Sequence, residues 1–253
     1  MKILLCNDDG IHAEGINALY EALCKTNELR VVAPHTERSA TGHAITIYDP
    51  IRTLPVKREN GLSGIAVDGT PADCIKLACS FLHKKDPPDL VVSGINLGPN
   101  TGISVLYSGT VSAASEAVVL GFPAIALSLC TWENPNWETA AKVARLVISN
   151  VRKNPLPKDT LLNVNIPNLP FEAIKGIKAG KMGRSRFIEK FSEHRDPRGN
   201  LYYWLDGELE LQDEHPDTDI RLIEAGYVSL TPIHIDLTAH KALDAIRKWE
   251  TEF

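Results

Sequence analysis

Two adjacent carboxylates directly after a short apolar run are the most informative feature of this sequence. The run Lys2–Cys6 predicts a buried first strand, and Asn7, Asp8, Asp9 and Gly10 follow it. In open parallel sheets, ligands bind at the carboxyl ends of the strands. Buried like charges repel each other unless they are neutralised, and Mg²⁺ and Mn²⁺ prefer oxygen ligands. The pair therefore predicts a metal or phosphate site; the alternative is that one aspartate only caps the following helix.

The elements that must position this pair alternate between strand and helix. Further strands are predicted at Leu29–Ala33, Ile65–Val67, Leu90–Ser93, Ala124–Leu129 and Leu161–Ile166, and helices at Ala13–Cys24, Pro71–Leu82, Thr110–Leu120 and Trp137–Val151. The alternating stretch Ala44–Leu54 predicts a short ribbon or an edge strand. Repeated strand–helix–strand units indicate a three-layer α/β fold with a mostly parallel sheet and helices on both faces.

The alternation of predicted strands and helices changes near the last third of the chain. We therefore predict a core over residues 1–167 and an extension over residues 168–253 that completes the fold and the oligomer. Lys178–Leu211 predicts a hairpin arm with its turn at Asp196–Asn200. Aromatic residues at Tyr202–Trp204 are candidate subunit contacts or a local satellite core, and the sequence leaves both open. The remaining predicted elements are a short helix at Asp219–Ala225, a strand at Val228–Pro232 and a terminal helix at His240–Trp249.

Four polar, glycine-rich loops follow predicted strands and should converge at one edge of the sheet. They are Asn7–Gly10, Pro34–His43, Asp68–Pro71 and Ser93–Asn100, the last of which runs on to Thr110. Ser39 and Asn96 offer neutral oxygens that would complete a Mg²⁺ shell with the two aspartates. Ser108, Gly109 and Thr110 open a helix, where hydroxyl and N–H groups bind phosphate. Alternatively, Ser39 and Asn96 are turn residues, and the hydroxyls of Ser108 and Thr110 only cap the helix.

Two histidines and an asparagine lie in the same loops. His12 and His43 could contact a phosphate or donate a proton to a leaving oxygen, although a loop histidine is more often solvated or structural. Asn7 directly precedes the two aspartates and is a candidate phosphate ligand. Asp68 could support the site from behind, or it could form a turn with Gly69.

The composition excludes several classes of protein. The chain has 253 residues, 43% of them hydrophobic, which is enough for one large domain or two small ones. A net charge of -5 and a pI near 5.9 give no basic field for a nucleic-acid duplex. The five cysteines are odd in number and contain no Cys-x-x-Cys pair, which favours reduced thiols in a cytoplasmic protein. We also expect neither a signal peptide nor a membrane span.

At these motifs the chain resembles the SurE family, the survival-protein nucleotidases. The matching segments are Asn7–His12, Val32–Pro34 with Arg38-Ser39, Gly69–Cys74, Val92–Asn100, Tyr107–Val111, Asp196–Gly199, Tyr203-Trp204, Gly226–Pro232 and Asp236–Thr238. The resemblance covers nearly the full length. His35, Ala40 and Ser104 depart from the family pattern, which affects loop geometry and substrate preference rather than the reaction class.

The resemblance implies a divalent-metal-dependent phosphatase that hydrolyses nucleoside 5′- and 3′-monophosphates and, in some members, short polyphosphate. It implies one Mg²⁺ or Mn²⁺ per subunit, held by Asp8, Asp9, Ser39 and Asn96. It further implies a Rossmann-like core and a homodimer or homotetramer built through the C-terminal part. We expect metal-activated water to attack the phosphate, with Asp8 or Asp9 accepting the proton.

Two other classes of protein place aspartates after a first strand. A phospho-accepting receiver domain does so, and Asp68 could be its phosphorylated residue. However, no lysine follows the strand Ala124–Leu129, where receivers need one, and the chain is much longer than a receiver. A covalent aspartyl phosphatase of the dehalogenase type requires an Asp-x-Asp spacing, whereas Asp8 and Asp9 are adjacent.

Overall fold

The computed structural model of the chain describes residues 1–210 and 215–251. Its strands are β1 Lys2–Cys6, β2 Glu28–Pro34, β3 Thr53–Lys57, β4 Ser63–Val67, β5 Leu90–Leu97, β6 Ala124–Cys130, β7 Thr160–Pro167, β8 Ile177–Ala179, β9 Arg186–Arg195, β10 Leu201–Glu210 and β11 Val228–His234. Its helices are α1 Glu14–Leu23, α2 Pro71–Leu77, α3 Gly109–Val119, α4 Trp137–Lys153, α5 Asp219–Glu224 and α6 Leu243–Arg247.

A nine-stranded sheet forms the centre of the molecule, in the order β3-β4-β2-β1-β5-β6-β7-β11-β8. Within the described part of the chain, the strands of this sheet from β4 to β7 are parallel, whereas the β3–β4 and β7–β11 pairs are antiparallel. The central strands are buried along nearly their whole length because helices flank the sheet, α1 packing with α4 and α2 with α3. The predicted fold class is confirmed.

The chain beyond residue 167 both continues this sheet and leaves it. β11 pairs with β7, and β8 pairs in parallel with β11, so the C-terminal segment completes one side of the sheet. β9 and β10 form the predicted antiparallel hairpin with its turn at residues 196–200. The hairpin begins at Arg186 rather than at Lys178, because Lys178 belongs to β8 and pairs within the main sheet. Leu211, the predicted end of the arm, lies outside the described residues. No helix in the described ranges is both long and apolar enough to cross a membrane.

Four predicted elements differ from the structure. The strand expected within Ala44–Leu54 begins only at Thr53, because the N–H of Thr46 donates over 2.9 Å to a carboxylate oxygen of Asp73 rather than to a strand. The predicted helix Pro71–Leu82 is α-helical only to Leu77 and closes with a π-helical turn over Ala78–Leu82. β5 runs four residues past Ser93, and the terminal helix shortens to α6 after a 3₁₀ turn at His240–Ala242.

Candidate active site

Asp8 is the most buried carboxylate of the predicted site, with 4% of the residue exposed. It follows β1 and faces the first turn of α3, where the Thr110 hydroxyl donates a hydrogen bond to Asp8 Oδ1. A Cβ at Gly109 would lie 2.7 Å from the Cβ of Asp8, so the missing side chain allows the helix to approach this closely. Burial raises the pKa of Asp8, and the hydrogen bond from Thr110 opposes this rise without cancelling it.

Asp9 extends from the same strand end towards β5. The backbone N–H of Leu97, the last residue of β5, donates to Asp9 Oδ2 over 3.4 Å. Burial, and after it the charge on Asp8, raises the pKa of Asp9 to about 7. Both members of the acid pair, Asp8 and Asp9, are therefore disfavoured as anions, and a bound cation would relieve this.

Ser39 belongs to a loop that is tied to the acid pair through its backbone. The N–H of Arg38 donates to the carbonyl oxygen of Asp8 over 2.8 Å. Ser39 itself is exposed, and its hydroxyl donates to Glu37 Oε1 over 2.7 Å. Ala40 follows with φ +55°, a conformation that glycine adopts more readily. Ser39 thus lies one residue away from a direct contact with Asp8.

Asn96 lies on β5 itself rather than in a loop after the strand. The pairing of β5 with β6 shifts register between Ser93 and Asn96, which allows the strand to continue through this polar stretch. The Nδ2 of Asn96 donates to the carbonyl oxygen of Gly98 over 2.8 Å. Its amide oxygen is therefore the atom that could bind a ligand at this edge, close to the Asp9 contact at Leu97.

The predicted phosphate ligands at the start of α3 already have protein partners. The Ser108 hydroxyl accepts a hydrogen bond from the N–H of Val111 over 3.1 Å, so Ser108 is the N-cap of α3. The Thr110 hydroxyl contacts Asp8. The helix start therefore lies beside the acid pair, as predicted, while phosphate binding by Ser108, Gly109 and Thr110 stays a prediction.

Sequence reasoning missed a buried carboxylate behind the Ser39 loop. Glu116 on α3 is 3% exposed; its Oε2 lies 2.8 Å from Nε2 of His43, and its Oε1 accepts from Nζ of Lys76 over 2.6 Å. Burial raises the pKa of Glu116, but the hydrogen bonds to His43 and Lys76 outweigh burial and lower it overall. The available signal was a charged residue within an otherwise uncharged helix, and it did not reveal the partners.

The other predicted polar residues are spread around the acid pair. Asn7 donates from Nδ2 to the backbone of its own loop over 2.9 Å, and its buried Oδ1 has no hydrogen-bond partner in the described part of the chain. The exposed ring of His12 lies 6.4 Å, centroid to centroid, from the ring of His35. Asp68 forms an ion pair with Arg38, nitrogen to oxygen 3.1 Å, and so supports the Ser39 loop.

The donor set at this edge fits a hard divalent cation. Two carboxylates with raised pKa values lie together, and the amide oxygens of Asn7 and Asn96 have no hydrogen-bond donor among the described residues. Within residues 1–210 and 215–251, no group of three or more His, Cys, Asp or Glu side chains could hold a metal. A cation here would therefore need neutral oxygens, which are ligands typical of Mg²⁺ sites.

The fold and this edge define a doubly wound α/β protein with an acidic, oxygen-rich site at the carboxyl ends of its central strands. The family model described as Survival protein SurE matches residues 3–189, and the chain belongs to this family. The resemblance found in the sequence is thereby confirmed.

Individual relatives extend this match to nearly the whole chain. The 5′-nucleotidase SurE of Syntrophobacter fumaroxidans is 46% identical over 249 residues, covering 98% of this chain and 99% of that protein. The 5′-nucleotidase SurE of Pelotomaculum thermopropionicum is 49% identical over 250 residues, covering 98% and 95%. The crystal structure of the SurE protein from Aquifex aeolicus matches with a TM-score of 0.86 and 42% identity, over 99% of this chain and 100% of that one.

Proposed function

We propose that this chain is a 5′-nucleotidase, a metal-dependent phosphoric monoester hydrolase that converts nucleoside 5′- and 3′-monophosphates to nucleoside and phosphate. The observation that carries the proposal is the acid pair at the end of β1, which meets the start of α3 and the end of β5. The names of the relatives agree with the prediction of an enzyme of this class. Short-chain polyphosphate presents the same phosphate oxygens and is a proposed further substrate.

Four residues of this edge would hold one Mg²⁺ or Mn²⁺ per subunit. They are Asp8, Asp9, Ser39 and Asn96, two charged and two neutral oxygen donors. When bound, such a cation polarises a phosphate oxygen and lowers the pKa of a water ligand.

In this proposal, Asp9 accepts the proton of the attacking water. Asp8 Oδ1 already accepts a hydrogen bond from Thr110, and Asp8 is the more deeply buried of the two aspartates. Among the described residues, Asp9 accepts one long hydrogen bond, over 3.4 Å from the N–H of Leu97 to its Oδ2, so its Oδ1 is available to take a proton. Asp8 would then serve mainly as a ligand that Thr110 keeps in place.

The phosphate would lie against the start of α3. A helix N-terminus stabilises negative charge through its dipole and its free N–H groups. The N–H of Gly109 and the Nδ2 of Asn7 are the candidate donors there, because the hydroxyls of Ser108 and Thr110 have protein partners. These groups would also stabilise the charge that develops on the phosphate oxygens during attack.

The two histidines are proposed to differ in role. The Nε2 of His43 lies within hydrogen-bond distance of Glu116 Oε2, so we assign His43 to holding the Ser39 loop in position. His12 is exposed in the loop that carries the acid pair, and its ring is the better candidate to protonate the leaving oxygen.

The receiver alternative finds no support in the strand order. In a receiver, the phospho-accepting aspartate lies on the strand next to the one that carries the acid pair. Here Asp68 follows β4, and β2 lies between β4 and β1. The neighbour of β1 on its other side is β5, which carries Asn96 instead.

We further propose that the extension over residues 168–253 supplies the contacts of a homodimer or homotetramer. Trp204 and Phe191 on the hairpin are 65% and 66% exposed, although large aromatic side chains are costly to leave in water. Association through this face would bury them. A cytoplasmic location and the absence of nucleic-acid or membrane partners stay predictions.

Phosphate release tests the function directly. Wild type and Asp9→Asn are assayed on 5′- and 3′-nucleoside monophosphates and tripolyphosphate, with EDTA, Mg²⁺ or Mn²⁺. We expect metal-dependent release from the wild type and at least about a 100-fold loss in the variant, because both a ligand and the proton acceptor are removed. Asp9→Asn should unfold no more easily than the wild type, because the change removes repulsion from Asp8.

Asp244→Asn on α6 is the matched control, since Asp244 is exposed and lies outside the site. It should keep full turnover. Near-normal kcat in Asp9→Asn, or wild-type release that EDTA does not reduce, would refute the proposal.

A further inference from the structure

An exposed tryptophan lies at the same edge of the sheet as the acid pair. Trp132 follows β6 in the loop 131–136 and is 71% exposed. In the sheet, β5 separates β6 from β1, so only one strand lies between Trp132 and the acid pair. Neighbouring strands are roughly 4.8 Å apart, so β6 lies about 10 Å from β1 across the sheet.

The indole ring reaches from its own loop over the end of β5. A Cβ at Gly98 would lie 2.3 Å from Cη2 and 2.4 Å from Cζ3 of Trp132, so the six-membered ring rests on the Gly98 backbone. Gly98 has φ +112° and accepts the hydrogen bond from Asn96 Nδ2. The far edge of the ring is therefore in contact with the segment that carries a proposed metal ligand.

The loop that carries Trp132 is held at both ends. The Thr131 hydroxyl donates to the carbonyl oxygen of Glu133 over 2.6 Å. The N–H of Asn136 donates to Asn168 Oδ1 over 2.8 Å, and Asn136 in turn caps α4. A ring on such a loop loses little conformational freedom when a ligand binds, which favours its use as a contact surface.

A second tryptophan shows what a structural role looks like in this region. The indole N–H of Trp137 donates to Glu14 Oε2 over 2.9 Å, and its ring packs beside Gly15 of α1. Trp132 has no hydrogen-bond partner for its indole N–H among the described residues, and most of its ring is in contact with solvent. Core packing therefore does not account for Trp132.

We propose that Trp132 is the stacking surface for the base of the nucleotide. This inference rests on the proposed function, because the phosphate held at the acid pair sets where the base of a nucleotide substrate lies. A nucleoside monophosphate bound there would extend its ribose and base across the end of β5, where the indole face is open. Stacking on an aromatic face accepts any base and adds binding without contacting the phosphate.

The test compares a substrate that has a base with one that lacks it. Wild type, Trp132→Ala and Trp132→Phe are assayed on adenosine 5′-monophosphate and on ribose 5-phosphate. We expect Trp132→Ala to raise KM for the nucleotide about ten-fold, with kcat nearly unchanged, because stacking binds the ground state and the transition state alike. Ribose 5-phosphate should be hydrolysed equally well by all three proteins, and Trp132→Phe should recover much of the loss.

Phe81→Ala is the matched control, because Phe81 is also exposed, at 77%, but lies in the π-helical turn after α2. It should leave both substrates unaffected. An unchanged KM for the nucleotide in Trp132→Ala, or an equal loss on ribose 5-phosphate, would overturn the stacking role.

A second readout separates this inference from the proposed function. In EDTA, adenosine should quench the tryptophan fluorescence of the wild type and of Phe81→Ala, but not the residual fluorescence of Trp132→Ala. Wild type that hydrolyses neither phosphate ester but shows this quenching would refute the nucleotidase and keep the base site. Hydrolysis without any quenching that depends on Trp132 would refute the base site alone.

Discussion

The carboxyl edge of the sheet and the β9–β10 hairpin are stabilised in opposite ways. At the edge, the hydrogen bond between Thr110 and Asp8 joins residues 102 positions apart in the chain. In the hairpin turn, Asp196 accepts hydrogen bonds from Asn200, only 4 positions away. The edge therefore depends on the complete fold, whereas the turn of the hairpin depends on its own sequence.

This contrast determines where a small change in sequence should destabilise the protein. Buried polar groups that hold distant segments together leave unpaired partners when they are altered. When an exposed group that stabilises a single turn is altered, water can replace the lost hydrogen-bond partner. The following three predictions, in decreasing order of their expected effect on the free energy of unfolding, test this contrast.

Asp219→Asn should cause the largest loss of stability, because this carboxylate joins the C-terminal segment to the site. It is fully buried; its Oδ2 accepts from the N–H of Gly102 over 2.9 Å, and its Oδ1 from the N–H groups of Gly183 and Ile220. An amide loses the charge and turns an NH₂ group towards these donors. We expect the free energy of unfolding to fall by about 3 kcal/mol in urea titrations. Turnover should also fall, because the chain after Gly102 leads to Ser108.

Asp217→Asn provides the comparison two residues away. Asp217 is half exposed and pairs with Lys181 at the surface. This variant should unfold at nearly the same urea concentration as the wild type. If both variants lost a similar free energy of unfolding, burial of Asp219 and its contact with Gly102 would not explain the destabilisation.

The sequence predicted the parts of the site that depend on contiguous residues. The acid pair directly follows a strand, and Ser108 opens α3, accepting from the N–H of Val111 over 3.1 Å. Both signals lie within a few positions, so pattern reasoning can find them.

The long-range contacts could not be predicted in this way. Asp219 with Gly102, and Glu116 with His43, pair residues separated by 117 and 73 positions, and no local pattern reports which distant group faces a buried carboxylate. The failure at Ala44–Leu54 has the same origin. Asp73 takes the backbone N–H that a strand at Thr46 would need.

Gly109→Ala should have the second largest effect. The added Cβ would lie 2.9 Å from Asp8 Oδ2 as well as 2.7 Å from its Cβ, so either α3 or the carboxylate must move. Overpacking of this kind costs about 2 kcal/mol, more than alanine gains over glycine in a helix. Displacement of Asp8 should also lower kcat by about 100-fold. Full activity in this variant would show that the acid pair tolerates movement, against the view of a tightly fixed edge.

Gly199→Ala makes the same chemical change in the hairpin turn and should have the smallest effect. Gly199 has φ +84°, and a Cβ there would meet no atom of the described residues within 4 Å, so backbone strain is what opposes the substitution. Strain of this kind costs about 1 kcal/mol, confined to the turn where the N–H of Gly199 donates to the carbonyl oxygen of Asp196. Thermal unfolding followed by circular dichroism, together with phosphate release, should show a slightly lower midpoint and unchanged kcat. A loss of turnover as large as that of Gly109→Ala would mean that the hairpin is coupled to the catalytic edge, and that local turn chemistry does not describe it.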